Sequence, residues 1–215
     1  LYNQFDYPEM PGGFAAAVLL DGQVLFKDAY GWANYEHKSP FTTQTVADYA
    51  SVAKQFTGFA IGSLILDGKL NPEDDIRQFL PHVPDFGETI TIRHLLHHTS
   101  GIRDWVALVQ LAGKHSTDVL TDRFLMRLIC NQQELTFKPG EQFQYSNSGY
   151  LLLAKVVEIV SGLTLAQWCK QHIFKPLGMD NTFFMEDHRQ VIPKRATAYV
   201  EDDKGDYVNS NMQLV

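Results

Sequence analysis

The dipeptide Asp21-Gly22 separates the apolar run Phe14 to Leu20 from a second run, Gln23 to Tyr30, inside a segment bounded by Gly13 and Gly31. A two-residue hairpin turn requires positive φ at both positions, which Asp and Gly tolerate better than most residues, so this segment is predicted to be a β-hairpin. Two strands alone are not a stable sheet and need further strands or a packed helix. The only later strand candidates are short ones at 195–200 and Tyr207–Asn209. Whatever completes the hairpin therefore constrains the whole fold.

Between these stretches the sequence reads as helix and loop. Val52, Phe56, Phe59, Ala60 and Ile65 recur near helical spacing from Ser51 to Leu66, with Gly68 where a C-cap would sit, and predict a mostly buried helix. Thr91 is placed to cap a short helix through His97 that stops near Gly101. Leu120, Phe124, Leu128 and Cys130 form a stripe over 117–131, and a second stripe over 147–160 closes at Gly162. A last helix is expected from Thr164 to about Phe174, ahead of Pro176. Phe56, Phe59, Phe124 and Trp168 are read as core, with pocket wall as the alternative.

Composition narrows the function classes. A formal charge of -7 and a pI near 5.5 give no electrostatic reason to bind nucleic acid or an anionic membrane, and no apolar run is long enough for a membrane span. A small-molecule or short-peptide substrate is the expected partner, and oligomeric state is left open. Cys130 and Cys169, each in a helical stretch, are read as buried thiols rather than a disulfide. No basic segment followed by an apolar one opens the chain, which leaves the compartment open.

A serine hydroxyl is a weak nucleophile at neutral pH and needs a partner to take its proton. Ser51 has Lys54 three positions later, on the same face of the expected helix, where β-carbons lie about 5–6 Å apart. If Ser51 opens that helix, its N–H and the helix dipole also favour a developing oxyanion. Chance alone supplies about one such spacing in roughly 200 residues, so context decides. Among the serines only Ser51 has a lysine at the third position.

A second element is Tyr145-Ser146-Asn147, which follows the turn Lys138-Pro139-Gly140 and opens an apolar helix. A phenol beside an ammonium is a candidate general base, and the Asn147 amide could orient an acyl group and hold Lys54. The bland alternatives are a solvated helix start at Ser51, a buried structural tyrosine at 145 and a simple N-cap at Asn147. Tyr207-Val208-Asn209 repeats the spacing but follows the polar stretch Glu201 to Gly205, which offers no rigid platform. His94, His97 and His98 suggest a metal site, yet no metalloprotease-type Glu accompanies them, so packing histidines are preferred and no metal or other cofactor is expected. Glu73-Asp74-Asp75 is read as a solvated turn.

Taken together these motifs resemble the serine β-lactamase-like superfamily, on the branch of class C β-lactamases, D-alanyl-D-alanine peptidases and related esterases. The resemblance covers Pro11-Gly12-Gly13, Gly31-Trp32-Ala33, Ser51-Val52-Ala53-Lys54, Gly68-Lys69-Leu70, the run Ile92 to Gly101, Pro139-Gly140, Tyr145-Ser146-Asn147 and Pro176 to Met179. It implies an α+β fold in which a helical subdomain is set against an antiparallel sheet flanked by helices. It also implies Ser51 as acylated nucleophile, Lys54 as its proton partner, Tyr145 as general base and acid, and Asn147 as a substrate-binding amide. The expected organisation is one domain over 1–215, with 1–45 in the sheet part, 46–190 mainly helical and 191–215 returning towards the sheet. The expected reaction is acyl transfer on an ester, amide or lactam, with a non-catalytic binding protein as the alternative. A periplasmic or secreted location is expected, with a cytoplasmic one as the alternative.

One departure stands out. The family's third motif, Lys or His, any residue, then Gly, does not occur after Tyr145, where Lys204-Gly205 lacks the intervening residue. The expectation is a fragment of a chain roughly 100–200 residues longer, whose C-terminal strands complete the sheet.

Overall fold

In the computed structural model, residues 12–114, 118–211 and 213–214 are described, the last pair as backbone. Pro11 and Thr117, which entered the sequence reading, lie outside them. The described residues divide into two compact units, 12–49 with 189–211 and 50–188 with 213–214.

The first unit is built on β1 (Gly13–Leu20) and β2 (Gln23–Asn34), antiparallel and joined by Asp21 at φ 48° and Gly22 at φ 77°. Both turn residues are left-handed, as a type I′ turn demands. The pairing passes from Val18–Phe26 to Leu19–Val24, so Leu25 is an extra residue that bulges from β2. A short β3 (Ser39–Pro40) pairs with the far end of β2.

The later strand candidates do not join this sheet. β5 (Tyr199–Glu201) pairs with β6 (Tyr207–Asn209) through a tight turn at Asp202 to Asp206, while Arg195 forms an isolated bridge with Val46 and Thr197 N–H donates to Ala33 O. Closing so short a loop costs far less chain entropy than recruiting either strand to a distant edge. The unit's described core is thin: Ala33 is its only buried hydrophobic residue, and Val18, Leu19, Leu20, Val24 and Leu25 stand exposed.

The second unit is helical. A 3₁₀ turn, Ala50–Ala53, leads into α1 (Lys54–Leu66), and Gly68 at φ 69° ends it, with Lys69 N–H donating to Leu64 O. α1 buries Thr57, Ala60, Ile61 and Leu64, so it is less buried than expected, and Phe59 is 58% exposed. The helix is apolar on most sides, and its spacing therefore could not say which side faces in. Phe56 instead lies edge-on to Phe174 at 5.0 Å, and Trp168 is buried.

α2 (Ile92–Leu96) is shorter than expected. Its N-cap Thr91 accepts from His94 N–H while His94 Nδ1 accepts from Thr91 N–H, a reciprocal capping box. α3 (Trp105–Leu111), capped by Asp104, was not anticipated. Over the 117–131 stripe the helix is only α4 (Asp122–Cys130), because Thr121 caps it and Val119–Leu120 form β4, paired in parallel with β7 (Gln213–Leu214). α5 (Asn147–Ser161) closes on Gly162 at φ 73°. α6 (Leu165–Cys169) continues into a π turn over Lys170–Phe174. Cys169 is buried, its thiol pushed up to about 12 by desolvation, but Cys130 is only half-buried, and both are free.

α5 is the central element, packed by α1, α2, α3 and α6. Its Leu152, Leu153, Val156 and Val157 are fully buried, as are Ile61 and Leu64 of α1 and Leu95 of α2. Each such side chain removed from water contributes about 1.5–3 kcal/mol. The rigid stack fixes the N-termini of α1 and α5, where the candidate site lies.

Candidate active site

Ser51 sits in the 3₁₀ turn one residue after Ala50, whose φ of 44° turns the chain into the helix. Its side chain is exposed. Lys54, the first residue of α1, donates from Nζ to Ser51 Oγ at 3.1 Å and to Asn147 Oδ1 at 2.8 Å. The Tyr145 hydroxyl donates to Ser51 Oγ at 2.7 Å. All four residues singled out by sequence thus meet within the second unit. Two donors aimed at one hydroxyl oxygen stabilise negative charge as it develops there.

Tyr145 is 42% exposed, which removes the buried-tyrosine alternative. Tyr207 lies instead in β6, exposed, in the other unit. Asn147 is the first residue of α5 rather than its cap; that position belongs to Ser146, whose hydroxyl donates to Ile102 O. A cap must precede the first helical turn, and the Asn147 side chain is turned towards Lys54.

What turns it is Asp104, which sequence reasoning missed. Asp104 Oδ2 accepts from Asn147 Nδ2 at 3.0 Å and Oδ1 accepts from Asn147 N–H at 2.9 Å. An ionised carboxylate only accepts, so the amide must present its NH₂ to Asp104 and its oxygen to Lys54. The carboxylate thereby sets which way the amide faces, and the amide anchors the ammonium.

Asp104 is held there by latches between the 102–105 segment and the start of α5. Ser148 Oγ donates to Arg103 O at 2.7 Å and accepts from Trp105 N–H at 2.9 Å, and Arg103 N–H donates to Gln132 Oε1. Gly101, at φ 74°, makes the bend before them; a Cβ there would collide with Phe137 O. An aspartate ahead of the apolar run Trp105 to Val109 was a legible N-cap signal. Its second task left no trace in local spacing.

Lys54 Nζ also lies 5.0 Å from the Tyr145 ring centroid and 5.7 Å from that of Tyr150. His98 packs against the same two tyrosines, tilted to Tyr145 and stacked on Tyr150, and its Nδ1 accepts from Ser146 N–H at 3.1 Å. His94 and His98 each commit Nδ1 to a backbone N–H. Among the described residues no group of three or more His, Cys, Asp or Glu is placed to hold a metal ion.

Comparison with known proteins follows the same lines. The family model described as Beta-lactamase matches residues 7–213. Penicillin-binding protein 4* of Bacillus subtilis is 35% identical over 179 residues, covering 83% of this chain and 39% of that protein. A D-aminopeptidase of Gluconobacter oxydans is 33% identical over 180 residues, covering 83% of this chain and 33% of that protein. Among solved structures, the octameric penicillin-binding protein homologue from Pyrococcus abyssi superposes with a TM-score of 0.79 at 30% identity, over 92% of this chain and 46% of that one. The chain spans between a third and two fifths of the length of these two curated relatives.

Proposed function

The chain belongs to the beta-lactamase family, and we propose that it acts as a serine hydrolase whose Ser51 is acylated and then released by water. The observation that carries this reading is the convergence of Lys54 Nζ and the Tyr145 hydroxyl on Ser51 Oγ. In the reacting form Tyr145 has given up its hydroxyl proton and stands as a phenolate beside the Lys54 ammonium, so that as Ser51 Oγ attacks the substrate carbonyl its proton passes along the 2.7 Å line to the Tyr145 oxygen. The oxyanion forms at the start of α1, where the Ser51 N–H and the helix dipole favour it. As the intermediate collapses, the bond to the leaving group breaks and Tyr145 returns the proton to it. Water then attacks acyl-Ser51 with Tyr145 again as base, and Ser51 is regenerated.

The substrate class we favour is an amide or peptide bearing a D-amino acid, with esters and lactams as alternatives. The support is similarity to proteins named as a penicillin-binding protein and a D-aminopeptidase. We propose a periplasmic or secreted location on the same ground, and a small-molecule or short-peptide partner.

The test is intact-mass analysis after exposure to a fluorophosphonate and, separately, to a labelled penicillin. A covalent increase mapping to Ser51 and lost in Ser51→Ala is expected. No adduct on folded protein would overturn the reading in favour of a binding role. Parallel rates on a D-aminoacyl anilide, a nitrophenyl ester and a chromogenic cephalosporin rank the substrate classes.

A further inference from the structure

We propose that His98 is a positioning residue for this site, a neutral ring that pins Tyr145 against Ser51 and loses that grip when it is protonated. The proposal rests on the acyl-transfer reading above and deepens it by assigning what holds the base in place and what limits the site in acid.

Three contacts, one at each successive residue, tie the segment before α5 to this one histidine. Its carbonyl oxygen accepts from Gln144 N–H at 2.9 Å, its ring lies 4.5 Å from the Tyr145 ring at 33°, and its Nδ1 accepts from Ser146 N–H at 3.1 Å. Tyr150 also stacks on the ring, at 5.1 Å and 29°, while donating its hydroxyl to Leu96 O at 3.2 Å. The ring therefore has two aromatic neighbours, and one of them is the Tyr145 ring itself.

The backbone of His98 is part of the arrangement. It stands at φ 57°, two residues past the end of α2, in the left-handed region that L residues avoid and that His, Asn and Asp enter at least cost. That turn reverses the chain so that both the carbonyl and the ring of one residue face the 144–146 segment. A non-glycine residue in such a conformation is maintained only where the surroundings hold it, and here they do.

Because Nδ1 accepts a hydrogen bond, the ring proton belongs on Nε2. Protonating Nδ1 would set an N–H against the Ser146 N–H and break the contact adjacent to Tyr145. The groups around the ring are Lys54 from α1, Asp104 from the loop before α3, the neighbouring His97, Tyr145 and Tyr150, with Phe143 edge-on at 5.9 Å. Burial is the largest influence and the Lys54 charge the next; both push the imidazole below its ordinary 6.5, against weaker opposing pulls from the Ser146 contact and Asp104. The ring is then neutral at pH 7, and the grip is lost only in a more acid range.

The experiment follows the second-order rate of Ser51 labelling by a fluorophosphonate from pH 4 to 8 in wild type, His98→Asn and His98→Ala. Asparagine tolerates the left-handed backbone and offers Oδ1 where Nδ1 stood, but it does not titrate in this range. His98→Ala is expected to lose about 10- to 100-fold in plateau rate, and His98→Asn to recover most of that loss. The wild-type rate should fall on an acid limb below pH 6.5 that is displaced or absent in His98→Asn. An unchanged acid limb in His98→Asn, or a His98→Ala plateau within about twofold of wild type, would overturn the proposal.

A thermal melt of each variant separates misfolding from mispositioning, and His98→Asn remains decisive if His98→Ala does not fold. Long-range ¹H–¹⁵N NMR supplies a readout that needs no activity: the ring should be the Nε2–H tautomer at pH 7, and a doubly protonated ring there would also overturn the proposal. Absence of any wild-type adduct defeats the hydrolase reading itself, whereas labelling indifferent to His98 defeats only this inference.

Discussion

The two units meet the problem of covering apolar surface in opposite ways. In the helical unit, α5 is surrounded by α1, α2, α3 and α6, and its inward side chains are fully buried. In the strand unit, β1 and β2 are well registered yet leave Phe14, Val18, Leu19, Leu20, Val24 and Leu25 exposed. A helix satisfies its backbone internally and needs one packed side. An antiparallel strand pair needs further strands at its edges or an element packed on one face, and those come from distant sequence. The catalytic candidates all stand on the unit that packs itself, where a rigid platform keeps hydrogen-bond distances fixed.

The largest expected contrast is chemical. Ser51→Ala should reduce turnover and covalent labelling by at least about 10³-fold while the melt of the protein stays near that of wild type, since an exposed side chain in the 3₁₀ turn carries little packing. A melt lowered as much as a core variant's would mean that Ser51 supports the fold instead.

The next contrast sets the units directly against each other. Leu153→Ala, deep in α5, should cost about 2–5 kcal/mol in urea denaturation, whereas Leu19→Ala, 65% exposed on β1, should stay within about 0.5 kcal/mol. Equal losses would show that the hairpin residues are covered in solution and would collapse the comparison.

A smaller effect tests the anchor. Asp104→Asn is nearly isosteric but offers an NH₂ as well as an oxygen, so it no longer dictates how Asn147 faces Lys54. A loss of about 1–3 kcal/mol in transition-state stabilisation is expected, read as kcat/KM, with the protein still folded. Unchanged kcat/KM would restrict Asp104 to capping α3.

The smallest effect lies away from the site, in the helical unit's acidic turn. Asp75 caps the 3₁₀ turn at Ile76 and pairs with Arg77 at 2.7 Å, and the hydrogen bond from Arg77 holds its carboxyl below its ordinary 3.8. A depressed carboxylate stabilises the fold fully above its unfolded value and loses that contribution as pH falls through the folded one. Asp75→Asn should therefore cost about 1 kcal/mol at pH 7, and the gap from wild type should close as pH drops below 3.8. A gap that persists into acid would assign the loss to shape rather than charge.

Much of both the fold and the site was legible, and for local reasons. Asp21-Gly22 specifies a turn from two φ values, and Thr91 and Gly162 mark helix ends through their own backbone neighbours. Phe59 was misjudged because α1 is apolar on most sides, so spacing alone could not choose the inward one. The strand at β5 was displaced because a nearby partner, β6, outcompeted a distant edge.

The sequence by itself determined that Ser51 and Lys54 share one helical turn, since a spacing of three residues fixes their proximity wherever that turn forms. Only the tertiary structure decided which tyrosine reaches Ser51, because Tyr145 lies 94 residues away along the chain and no periodicity spans that distance. It alone showed that Asp104 orients Asn147 and that His98 carries the Tyr145 ring. Each of these depends on one loop side chain meeting another element, and the packing of α2, α3 and α5 sets where that loop lies.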